Sequence, residues 1–129
     1  RGMEKKKIQS YRDLIAYQKA YQLSLDVYRL TKSFPSSELY GLVSQMRRSA
    51  VSIPCNIAEG YERGHRKEYI HFLRIARGSC SELETLLSLS KDLGYLAVHE
   101  YELLDELQDE AARLLRRLIA SLSTTGGGN

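Results

Sequence analysis

The sequence predicts an all-α fold, an antiparallel up-down-up-down four-helix bundle, and three observations carry that prediction. Breakers are rare: the only prolines are Pro35 and Pro54, and no glycine falls between Gly2 and Gly41. Between the breakers, apolar residues recur at three- and four-residue spacing, the period of a helix, with no alternating strand pattern in competition. At 129 residues the chain is long enough for one domain with its own core and too short for a second. Four helical stretches joined by short connections fill that length as a bundle.

The elements follow in order. Arg1 and Gly2 ahead of Met3 look like a cloning remnant, and residues 1–10 are expected to form a flexible N-terminus, with the bundle over 11–122. The first helix is predicted from about Arg12 to Ser33. It carries one apolar stripe of Ala16, Ala20, Leu23, Val27 and Leu30, and a second of Leu14, Tyr17, Tyr21, Leu25 and Tyr28. Two stripes predict two covered faces, whereas a helix of a monomeric bundle needs one. Pro35 stops this helix, and a serine at 36 or 37 is expected to cap the next, with Glu38 in its first turn. The second helix presents Leu39, Leu42, Val43, Met46, Ala50, Ile53 and Ile57 on one side. Pro54 removes the bond to the Ala50 carbonyl, which predicts a kink in a helix that continues in phase.

Gly60 to Gly64 is read as the next turn. The third helix is predicted from about His65 to Leu93, closed by Gly94, with Tyr69, Phe72, Leu73, Ala76, Cys80, Leu83 and Leu87 inward. The fourth runs from about Ala97 to Leu122, with Leu104, Leu107, Ala111, Leu114, Leu118 and Leu122 inward. Its acids come early and its bases Arg113, Arg116 and Arg117 late, which complements the helix dipole. Residues 123–129, Ser-Thr-Thr-Gly-Gly-Gly-Asn, are expected to be a flexible tail.

Composition excludes several classes. Hydrophobic residues at 43% and charged residues at 27% argue against wholesale disorder. No apolar run approaches the ~20 residues of a membrane span, and no signal-peptide pattern opens the chain, so a cytoplasmic protein is expected. Cys55 and Cys80 lack Cys-x-x-Cys spacing and read as two buried, reduced, small apolar residues.

The net charge of +3 hides an asymmetry: residues 1–37 carry a net +5, residues 38–80 a net +3, and residues 81–129 a net −5. At 100° per residue, Arg63, Arg66, Lys67, Arg74 and Arg77 fall along one line opposite Phe72, Ala76 and Leu83. Glu59 lies four residues before Arg63, with a turn expected between them, whereas Arg74 and Arg77 have no acid three or four residues away. Folding the second helix back about residue 63 sets Arg47 and Arg48 near the height of Arg77, where they would extend the patch. Guanidinium forks suit phosphate, so the line reads as a nucleic-acid backbone surface; a solvated face or pairing with the acidic last helix is the plainer alternative. No motif for reading bases is present.

Catalytic and metal chemistry find little support. Glu62 with His65 and Glu68 with His71 share one segment, while a bundle dimetal site needs such pairs on facing helices; the first helix offers only Asp13 and Asp26. The same pivot sets Cys55 opposite His71 without an orienting third group, and Gly78-Ser79 lacks the continuation of a phosphate loop. His99, opening the fourth helix, has no partner in sequence. No catalytic residue, metal or cofactor is expected.

One long stretch carries more. Phe34-Pro35, Glu38, Tyr40-Gly41-Leu42, Gln45, Arg47-Arg48-Ser49-Ala50-Val51-Ser52-Ile53-Pro54 and Asn56-Ile57-Ala58-Glu59-Gly60 are followed by Phe72-Leu73, Ala76, Gly78-Ser79 and Glu82, and preceded by Asp13-Leu14 and Tyr17-Gln18-Lys19-Ala20. The pattern strongly resembles the bacterial four-helix bundle proteins encoded in 23S rRNA intervening sequences, over roughly residues 11–120. Tyr17, where the family often has tryptophan, and Cys55, where a small residue is usual, depart mildly from it. The resemblance implies a homopentamer with no enzymatic activity. The family is also similar to accessory proteins of diversity-generating retroelements, basic barrels that bind nucleic acid and a reverse transcriptase. On this reading Asn56 and Glu59 are buried polar groups that fix the bundle or a subunit contact. The expected function is non-specific nucleic-acid binding, with a scaffold role toward other subunits or a protein partner as the alternative.

Overall fold

The structure, a computed structural model, describes residues 7–126. A 3-10 turn at Tyr11–Asp13 precedes α1 (Ile15–Thr31), and α2 (Ser44–Glu62), α3 (Arg66–Asp92) and α4 (Val98–Gly126) complete it. No strand occurs among the described residues. Each helix packs on its neighbour in sequence, and α1 also packs on α4, which closes a four-helix bundle. Contacts run in opposite senses along neighbouring helices: Ser24 meets Ala50 while Tyr28 meets Arg47, and Ser52 meets Ser79 while Met46 meets Ser90. The arrangement is antiparallel.

The N-terminal boundary is set by a capping box. Ser10 Oγ accepts from the Arg12 N–H, and the Asp13 carboxylate accepts from the backbone of Gln9 and Ser10. The predicted flexible N-terminus is therefore tied down at Gln9 and Ser10; its residues 1–6 lie outside the described residues. Along α1 the first predicted stripe is buried at Ala16, Ala20, Leu23 and Val27. Within this one chain the second stripe is half-buried at Leu14 and Tyr17 and exposed at Tyr21, Leu25 and Tyr28.

The entry to α2 differs from the serine-capped start. A π-type turn at Leu39–Val43 intervenes, and the Glu38 carboxylate, rather than a serine, accepts from the Leu42 N–H at 3.2 Å. This turn leaves Leu39 exposed instead of on the core face. The helix then runs unbroken through Pro54. The Ala50 carbonyl, which Pro54 cannot serve, lies 3.1 Å from the Ser24 hydroxyl of α1. That hydroxyl lies equally 3.1 Å from the Ala20 carbonyl of its own helix, so its one proton is shared and an interhelical bond replaces the lost helical one in part.

The turn after α2 is shorter than predicted. Gly60 remains helical and buried, and the reversal is made at Gly64, whose φ is +81°. A Cβ on Gly60 would stand 2.8 Å from the Cβ of Phe72, so α2 and α3 approach closely at Gly60. Gly94, at φ +84°, closes α3 as predicted: its N–H donates to the Lys91 carbonyl and that of Tyr95 to Ser90.

In α4 the buried line is Leu104, Gln108, Ala111, Ala112, Leu115 and Ile119. Leu107, Leu114, Leu118 and Leu122 flank it half-buried, so the inward face is rotated from the leucine line. Gln108 can sit in the core because its amide donates to Asp105 at 3.0 Å. The helix continues to Gly126, so residues 123–126 of the predicted tail are helical; 127–129 lie outside the described residues. Arg113, Arg116 and Arg117 consequently stand away from the last turn, too far in to complement its dipole.

Candidate nucleic-acid interface

Arg66, Lys67, Arg74 and Arg77 all belong to α3 and are all exposed. Leu73, Ala76, Cys80, Leu83 and Leu87 on the other side of the helix are buried, and their burial is what turns the cations outward. Among the described residues no carboxylate lies within ion-pair distance of any of the four cations. The line from Arg66 to Arg77 extends about 16 Å, from eleven residues at 1.5 Å rise.

Arg63 is placed differently. It is the C-cap of α2, across Gly64 from α3, and because the helix persists to Glu62 no turn separates it from Glu59. The two form an ion pair at 2.8 Å, with the guanidinium 4.9 Å above the Phe72 ring. It still reaches the cationic line, because Arg63, Lys67, Glu68, His71 and Phe72 line one groove of about 430 Å³. His71 stands edge-on to Phe72 there, with ring centroids 5.3 Å apart. His71 was not among the residues expected to bind. Its four-residue spacing from Lys67 is the signal that places the two side by side on the helix.

Arg47 and Arg48 lie on another face. Arg47 reaches across to α1, where its Nε donates to Thr31 Oγ1 at 3.0 Å and its guanidinium lies 4.5 Å above the Tyr28 ring. Arg48 donates to Ser44 Oγ at 3.3 Å and is otherwise exposed. Both line a groove of about 620 Å³ with Tyr28, Leu39, Tyr40, Val43, Ser44, Val51 and Ser52. Sequence reasoning missed Tyr28 and Tyr40 as site residues. The second apolar stripe of α1, which holds Tyr28, and Gly41 beside Tyr40 are the signals in the sequence that point to them.

The two predicted structural polar residues part company. Asn56 is half-buried and donates to the Ser52 carbonyl at 2.8 Å and to Ser52 Oγ at 2.9 Å. Ser52 Oγ is in turn 2.8 Å from Ser79 Oγ, so Asn56 backs a hydrogen bond that joins α2 to α3. Glu59 is exposed, not buried, and serves Arg63.

The cysteines also differ from each other. Cys80 is buried, and burial pushes its thiol up to about 12, which makes it inert. Cys55 is exposed, against expectation, and the register that sets Ser52 on Ser79 and Gly60 on Phe72 does not bring it opposite His71. Burial likewise pushes the Tyr69 hydroxyl up to about 12. Among the described residues no three His, Cys, Asp or Glu side chains gather as a metal site, and no helix is long and apolar enough to cross a membrane.

Helix count, packing order and the outward cations define the class: a small all-α four-helix protein with one cationic helix face. The sequence profile of the 23S rRNA-intervening sequence protein family matches residues 12–117, and the chain belongs to that family. Among solved structures, it is similar to the 1.70 Å crystal structure of a protein of unknown function from the S23 ribosomal protein family of Bacteroides thetaiotaomicron. The two share 25% identity with a TM-score of 0.77, over 82% of this chain and 96% of that one. Comparison with curated proteins finds no match.

Proposed function

We propose that this protein is a non-enzymatic nucleic-acid-binding protein whose α3 holds backbone phosphates without reading sequence. The single observation that supports this is the set of four exposed cations, Arg66, Lys67, Arg74 and Arg77, with no counter-ion among the described residues. A cation without an internal partner breaks no ion pair when it meets a phosphate, and its binding releases condensed counter-ions from the polyanion. Arg63, paired with Glu59, adjoins the end of the line beside Lys67. RNA and DNA satisfy this chemistry equally, and the exposed Cys55 suits the reducing cytoplasm.

Salt dependence is the direct test. If the four side chains each meet a phosphate, the logarithm of the binding constant falls against that of salt with a slope of about −3 to −4. The charge-reversed double variant Arg74→Glu/Arg77→Glu abolishes binding while the helical circular dichroism spectrum is unchanged. Undiminished binding in that variant removes α3 from the function.

A second reading is favoured by the exposed stripe Tyr21, Leu25 and Tyr28 on α1. Apolar residues in a continuous line suit contact with another protein, so we infer a homo-oligomer, a pentamer by family resemblance, that acts as a scaffold. A reverse transcriptase is one partner that the resemblance suggests. Were the α3 cations to face α4 acids of a neighbouring copy, such as Glu102 and Glu106, the same charge reversal would lower the mass seen by light scattering.

A further inference from the structure

We propose that the groove between α1 and the start of α2 takes an unpaired nucleobase, so that the protein contacts single strands with a site that duplexes cannot use. This rests on the backbone-binding reading above and adds to it the class of nucleic acid. The groove of about 620 Å³ has the size of a small-molecule site, and no carboxylate lines it. Tyr40 is 92% exposed, the most exposed large apolar side chain of the described residues. It stands on the π-type turn Leu39–Val43, an irregularity of the kind that recurs at functional sites. The turn is held from within: Glu38 accepts from the Leu42 N–H and from the Tyr95 hydroxyl.

The cations of the groove are arranged around flat surfaces. Arg47 is fixed over the Tyr28 ring by its bond to Thr31, which leaves a planar guanidinium shelf. Arg48 makes one long bond to Ser44 and stays free to follow a phosphate. A base needs a π-face and its phosphate needs a cation, and Tyr40 with Arg48 supplies both. The groove is also level with the α3 cations, since Ser52 of its lining bonds Ser79, two residues from Arg77. An acidic peptide would satisfy the arginines but leave the ring of Tyr40 without a stacking partner, so we favour the strand.

The experiment compares oligouridylate with an RNA duplex of equal phosphate number, by fluorescence anisotropy at one salt concentration. Tyr40→Ala is expected to weaken single-strand binding about tenfold, the usual worth of one stacked base, and to leave duplex binding unchanged. Tyr40→Phe, which keeps the ring, retains native affinity. Equal binding by native and Tyr40→Ala proteins overturns the groove, and the backbone reading then stands or falls on Arg74→Glu/Arg77→Glu alone. A native protein that binds neither probe overturns both readings. A drop in oligomer mass with Tyr40→Ala reassigns the groove to contact between copies. Tyr40-dependent binding of an oligoglutamate peptide, as tight as that of oligouridylate, reassigns it to an acidic protein partner. Either reassignment overturns the proposal.

Discussion

Ser24 shows how one hydroxyl lets α2 keep a proline. The Ala50 carbonyl sits in the core, and leaving it unpaired costs about 1–3 kcal/mol. Because Ser24 shares its one proton with the Ala20 carbonyl, Ser24→Ala is expected to destabilise by up to that amount in urea unfolding, and Pro54→Ala to suppress the loss, because residue 54 then donates to Ala50 itself. An equal cost of Ser24→Ala in both backgrounds would sink this account. The cysteines make a second prediction at this scale. A thiol reagent modifies Cys55 in the native protein and reaches Cys80 only in denaturant, since one is exposed and the other buried. Rapid native modification of both would contradict the packing of α3.

At the scale of elements, two glycines of the central helix pair separate packing from propensity. A Cβ at Gly60 meets Phe72 at 2.8 Å and the Tyr69 carbonyl at 3.2 Å, whereas one at Gly78 meets nothing within 4 Å. Gly60→Ala forces α2 away from α3 and is expected to cost about 1–3 kcal/mol. Gly78→Ala is expected to stabilise by up to about 1 kcal/mol through helix propensity. A reversed order of the two midpoints would show that Gly60 is not a site of close helix contact. The register of the predicted site is displaced as well. The fold-back expected about residue 63 is centred beyond Gly64, since Ser52 faces Ser79, and Arg47 reaches Thr31 of α1 instead of lying beside Arg77.

Over the whole molecule, titration and surface character set the solution behaviour. Cys80, from 9.0, and Tyr69, from 10.0, are both pushed up to about 12 by burial, so the folded state favours their neutral forms. Their contribution to stability is complete below about pH 9 and is lost as the pH rises toward 12, because the unfolded chain sheds these protons first. Unfolding free energy is thus expected to fall across this alkaline range, with a shallower fall in Cys80→Ala; an identical slope in both proteins would exclude the thiol. Tyr21 at 52% and Leu25 at 51% exposure predict self-association through α1. Tyr21→Glu/Leu25→Glu is expected to reduce an oligomer to the 14.7 kDa chain in light scattering without loss of helix, and an unchanged mass would place the contact elsewhere.

Local chemistry alone determined the number of helices, the stop at Gly94, the buried face of α1 and the outward line from Arg66 to Arg77. Each depends on spacing within one helix, which residues of that helix encode. Only the tertiary structure decided which helix owns Arg63, what Arg47 binds, that Cys55 is exposed, and that Gln108 rather than Leu107 faces the core. These depend on where a turn closes and how one helix rotates against its neighbours. That is settled by close packing, such as Gly60 on Phe72, between residues distant in the chain.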